Sequence, residues 1–147
     1  MAASTIPAVK AAFVTAIAAN AAFSGVQVTY GHPGRNAERE FVFVGGTSTA
    51  NQEWATLGAG QRSEEYALEL FVSVLQPGAD QRDVTERAFV LFAAIEALLR
   101  ADPSLGLALT GVKALRVQLR PRRLIEGPVD DGRLGEIHAD LVVDARI

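Results

Sequence analysis

The residues able to do chemistry are few. There are two histidines, His32 and His138, and no cysteines. His138 stands between Glu136 and Asp140, and on a strand the pattern Glu-x-His-x-Asp turns all three side chains to one face. Three such groups are a candidate metal set. A single strand closes a metal site only with help from a second element, so a solvated polar sheet face is the stronger reading. His32 lies in Gly31-His32-Pro33-Gly34, a run of turn formers. Gly45-Gly46-Thr47-Ser48 and Gly58-Ala59-Gly60-Gln61 also read as turns. None of the three glycine clusters has the phosphate-cradling Gly-x-x-x-x-Gly-Lys-Ser/Thr spacing or leads into a helix. No Gly-x-Ser-x-Gly elbow is present for a serine nucleophile. The lack of cysteine removes disulfides, thiolate zinc sites and cysteine nucleophiles together. Carboxylates occur as adjacent pairs, Glu64-Glu65 and Asp130-Asp131, which suit wet turns or strand edges better than a convergent acid–base pair. No catalytic residue, metal ligand or cofactor is assigned, and the chain is expected not to be an enzyme.

What stands out instead is surface for contact. Arg116, Arg120, Arg122 and Arg123 form a local basic cluster, followed by Asp130 and Asp131. Trp54, the sole tryptophan, is either a core plug or an interface anchor. A nucleic-acid role for the arginines is the weaker reading, because no aromatics are interleaved with them and the chain is acidic overall. It has a net charge of −3 and a pI of about 5.4, whereas a duplex binder needs a basic excess for phosphate contact. Interface guesses are therefore Trp54, Arg116, Arg120, Arg122, Arg123, Asp130 and Asp131.

The 147 residues, 49% of them apolar, suit one domain, spanning 1–147, with a substantial core. The N-terminus has no basic segment before an apolar run and so does not read as a secretory signal. No apolar stretch approaches the ~20 residues of a membrane span. The elements follow from periodicity. Ser4 or Thr5 can cap a helix running to about Phe23, with Pro7 in its first turn and Ile6, Val9, Phe13 and Ile17 on one face. Short strands are expected at Val26 to Tyr30, Glu40 to Val44 (stopped by Gly45-Gly46) and Asn51 to Leu57. Between Glu64 and Leu75, Tyr66, Leu68, Leu70, Val72 and Val74 alternate on one face, the mark of a strand. A second helix follows Asp80, with Val84, Ala88, Leu91, Ile95 and Leu98 inside and Phe89, Phe92 and Leu99 widening the stripe. Two alternating strands, Val112 to Arg120 and Glu136 to Ile147, flank a polar loop from Gly127 to Gly132. The class is α+β: a mainly antiparallel sheet with two helices packed on one side, in the order α-β-β-β-β-α-β-β.

Strand length carries a further implication. A compact chain of this size is about 40 Å across, and a twelve-residue strand is also about 40 Å long. Such strands cross the whole domain or project from it, offering edges to a neighbour.

The layout resembles the tail terminator, or tail completion, proteins of long-tailed bacteriophages. The resemblance rests on the opening "STIPAVKAAFVTAIAAN" helix and the "YGHPGRNAEREFVFVGG" strand region. It continues through the strand-turn-helix "EEYALELFVSVLQPGADQRDVTERAFVLFAAIEALLRADPSLG" to the closing strands "VKALRVQLRPRR" and "GEIHADLVVDARI". The family implies a structural virion subunit at the head-proximal end of the tail, assembled in the host cytoplasm. There it forms a homo-oligomeric, hexameric ring that caps the tail tube, stops its polymerisation and joins a head-completion or neck protein. DNA passes through the lumen without specific binding, which a net-acidic subunit suits. The alternatives are another neck or tail tube component, or a small-molecule-binding module using His32 or His138.

Overall fold

The computed structural model describes residues 4–54, 62–107, 112–130 and 132–146. Helix α1 spans Ile6–Ala19 and is followed by a short 3-10 turn, Ala21–Phe23. Strand β1 is Gln27–Tyr30, β2 Glu40–Trp54 and β3 Arg62–Gln76; helix α2 is Gln81–Ala101; β4 is Ala114–Val129 and β5 Gly132–Arg146. The five strands form one sheet in the order β1-β2-β3-β5-β4. All neighbours are antiparallel except β1 and β2, which run parallel. Among the described residues no helix is long and apolar enough to cross a membrane.

Alternation decides which face is covered. Tyr66, Leu68, Leu70, Val72 and Val74 on β3 and Ile137, Ala139, Leu141 and Val143 on β5 are all buried. They form one apolar cluster with Val42 and Val44 of β2, Val9, Phe13 and Ile17 of α1, and Val84, Ala88, Leu91 and Ile95 of α2. Both helices thus lie on the same side, as the α+β reading requires, with α1 over β1 and β2 and α2 over β3, β5 and β4. Each fully buried Val, Leu, Ile or Phe of this cluster contributes about 1.5–3 kcal/mol.

Three expectations about extent need correction. The stop at Gly45-Gly46 is no stop: Glu40 to Val44 and the start of the next expected strand, as far as Trp54, are one 15-residue β2. Positions 55–57 and the expected turn at Gly58-Ala59-Gly60 lie outside the described residues. Among the described residues three strands precede α2 where four were expected. Register shifts between Val44 and Thr47 and between Thr47 and Thr49 carry β2 past the glycines while β3 continues as its template. The loop from Gly127 to Gly132 is mostly strand, since β4 and β5 stay paired down to Val129 and Gly132. Pro121 and Pro128 are tolerated there because β4 is an edge strand, needing no ladder donor on its outer side. Gly132 has φ of 144°, and a Cβ at this position would stand 2.6 Å from the Gln76 carbonyl oxygen, so only glycine lets the hairpin return against β3. Phe89, expected to widen the buried stripe of α2, is 46% exposed. The longest strand, β4, has 16 residues, about 50 Å of extended chain.

Candidate functional site

The face of the sheet away from the helices carries the polar and aromatic residues. Register brings Phe43 opposite Phe71, Phe71 opposite His138 and His138 opposite Arg123, a row running across four strands. Phe43 and Phe71 stack with centroids 4.5 Å apart, and His138 meets Phe71 edge-on at 4.4 Å. Phe41 extends the row beside Phe43 at 5.9 Å. The connection from β1 to the parallel β2 crosses this end of the face. From it His32 places its ring edge-on to Phe43 at 5.0 Å. The Gly34 amide donates to His32 Nδ1 at 2.8 Å, so the neutral ring carries its proton on Nε2.

The Glu136, His138 and Asp140 set does not converge. Glu136 Oε1 contacts His138 Nε2. Asp140 turns the other way, accepting from Ser48 Oγ at 3.4 Å and facing the Arg122 guanidinium at 3.5 Å. Among the described residues no group of three His, Cys, Asp or Glu side chains is placed to hold a metal ion. A groove of about 340 Å³ runs between Phe71 and His138 on one side and Arg122 and Arg123 on the other.

Charge on this face is banded. Register sets Glu69 against Asp140 and Glu65 against Asp144, like charges whose direct opposition is unfavourable. The next strand, β4, sets Arg120 against Asp140 and Arg116 against Asp144, which offsets the repulsion. Among the described residues, Arg122 is the one of these arginines that makes a salt bridge, with Asp140. Arg116, Arg120 and Arg123 are exposed.

Glu64 corrects the wet-edge reading of its pair: it is 2% exposed, while Glu65 is exposed. The Glu64 carboxylate accepts from Ser4 Oγ at 2.6 Å and from the Thr5 amide at 3.2 Å, so a β3 side chain caps the N-terminus of α1. The positive end of the helix dipole favours an anion there. Ser4 Oγ also accepts from the Ile6 amide at 3.2 Å, whereas Thr5, at the N-cap position, makes no side-chain cap bond. Thr5 Oγ1 shares a hydrogen bond of 2.9 Å with the Tyr66 hydroxyl. Burial pushes the Tyr66 phenol up from 10.0 to about 12; the Thr5 hydrogen bond opposes this and the Glu64 charge adds to it.

The expected interface residues are only partly brought together. Arg116, Arg120, Arg122 and Arg123 share the outer strand β4, and Asp130 is exposed at the tip of the β4–β5 hairpin. Asp131 and the Trp54 side chain lie outside the described residues; the Trp54 backbone pairs with Arg62 at the far end of β2. That end adjoins Ser63 and Arg146, whereas the Asp130 tip adjoins Gln76 and Arg133, so the two lie at opposite ends of the sheet. Reasoning from the sequence missed the aromatic row. Its signal was present, since Phe41, Phe43 and Phe71 all fall on the non-core phase of their strands.

No family model matches the chain, and no curated protein matches it. Among solved structures it is similar to a chain in the "Virion of native gene transfer agent (GTA) particle". The TM-score is 0.55 and the identity 17%, over 99% of this chain and 98% of that one. The two chains share their fold from end to end.

Proposed function

We propose that the chain is a structural subunit of a phage-like virion and, within it, the ring-forming tail terminator. The observation that carries this reading is the end-to-end fold likeness to a chain of a virion particle, with almost nothing left over on either side. The sequence layout independently points to the tail terminator family. The chain acts by assembly and not by catalysis: it caps the finished tube, stops polymerisation and presents a surface to a head-completion or neck protein. Its partners are copies of itself in a ring of six, the tail tube protein and the neck. The net negative charge of the chain, −3, would discourage adhesion of DNA passing through the ring.

The test uses purified subunit and growing tail tubes. Native mass spectrometry is expected to show a closed ring, and the subunit added to polymerising tube protein is expected to halt growth at a dose near one ring per tube end. Tubes that incorporate it and lengthen would assign it to the tube instead. A stable monomer with no affinity for tubes would overturn the assembly reading.

A further inference from the structure

The sheet has two free edges of opposite character. β1 covers β2 only as far as Val44, so from Gly46 to Ala50 no described strand lies on the side of β2 away from β3, and all five residues are exposed. This stretch is Gly46-Thr47-Ser48-Thr49-Ala50: uncharged, short in side chain, free of proline, each residue keeping its N–H. Of the usual guards of an edge strand, charge and proline are absent, and the register shifts on either side of Thr47 are what irregularity the edge has. The neighbouring β3 carries exposed Glu65 and half-buried Glu69, neither of them in a salt bridge among the described residues.

β4 is guarded against its own kind. Its outer side is partly taken where the Val117 amide donates to the Pro103 carbonyl at 2.8 Å. Alternation makes Leu119 and then position 121 the next outward donors, and Pro121 has none. Pairing two β4 edges would oppose arginine columns and set donorless positions against each other. An edge that retains its donors and lacks cations has neither defect.

We propose that the β4 edge of one copy pairs with the Gly46 to Ala50 edge of β2 in a second copy, continuing the sheet from subunit to subunit. This rests on the ring reading above and assigns it a contact. Strands in a sheet lie about 4.8 Å apart, so β3 of the second copy would be about 10 Å from the incoming β4. The arginine side chains span that gap over the small β2 side chains and reach Glu65 and Glu69. The contact joins two different patches, the heterologous geometry from which a closed ring is built.

The lack of cysteine makes the test direct. Ala50→Cys protein is mixed with Arg120→Cys protein under mild oxidation and resolved on a non-reducing gel; Arg116→Cys and Arg123→Cys, run in parallel, sample neighbouring registers. A cross-linked dimer is expected in at least one mixture, with none from any variant alone. A second measurement uses Arg120→Glu with Arg123→Glu, which raises the concentration for half-assembly by roughly tenfold or more while leaving the circular dichroism spectrum unchanged. If the wild type forms a ring but no mixture cross-links, or Ala50→Cys links to itself, this contact is wrong and the ring stands. A wild type that stays monomeric at all concentrations removes both.

Discussion

The two faces of the sheet are built from the same strands on opposite principles. The helix side is apolar from β2 to β4 and closed by α1 and α2, so its residues have little to gain from any partner. The open side gathers an aromatic row across β2, β3 and β5, a carboxylate band on β3 and β5 and an arginine column along β4, each incompletely covered. The difference shows that stability and contact are divided by strand phase: one set of alternate residues holds the fold, and the other is left for surfaces outside the subunit.

The sharpest way to break this division is to cut into the closed side. Phe13 is wholly buried in α1, and Phe13→Ala should cost about 3–5 kcal/mol, read as a fall in the urea midpoint at constant slope. A loss below about 1 kcal/mol would mean that α1 adds little to the core.

Glu64 sits where the division fails, a charge on the covered side. Glu64→Ala leaves the Thr5 amide and Ser4 hydroxyl without their acceptor and should cost about 1–3 kcal/mol. Loss of amide-exchange protection should be confined to the first turn of α1. Protection lost across the whole sheet would give Glu64 a wider role than capping.

Phe71→Ala tests the open face. It removes two ring contacts, to Phe43 and His138, and should cost about 1–2 kcal/mol. Its effect on ring assembly should exceed its effect on folding. The reverse ranking would make the aromatic row a second core.

The smallest effect at neutral pH is that of Tyr66. Its folded-state pKa, raised to about 12, exceeds the ordinary value, so its contribution is complete below pH 10 and is lost as pH rises from 10 toward 12. Tyr66→Phe should flatten that alkaline fall in stability. An unchanged pH profile would place the responsible group elsewhere.

How much was legible in the sequence depended on whether the deciding contact was local. The alternation from Tyr66 to Val74 needs only its own segment, and β3 came out as read. So did α2, whose stripe repeats over five turns, apart from Phe89. Gly45-Gly46 misled because a glycine pair ends a strand only when nothing templates its continuation, and β3 does. Gly127 to Gly132 misled for a similar reason, since Pro128 bars an interior strand but not an edge. The burial of Glu64 turns on Ser4 and Thr5, about sixty residues earlier in the chain. The aromatic row needs the registers of three strand pairs at once, which no single segment encodes. The expected interface set held together where it shared one strand, Arg116 to Arg123, and separated at Trp54.

The place of β5 in the sheet has a consequence for biosynthesis. It is the latest strand in chain order, yet it occupies an interior slot between β3 and β4. While the polypeptide is still emerging from the ribosome, α1, β2, β3 and α2 exist with one flank of β3 bare. That flank must stay out of contact with other nascent chains for as long as translation of the next seventy residues takes, from Gln76 to Arg146. Synthesis speed through this stretch, and chaperone access to it, would therefore govern the yield of soluble subunit.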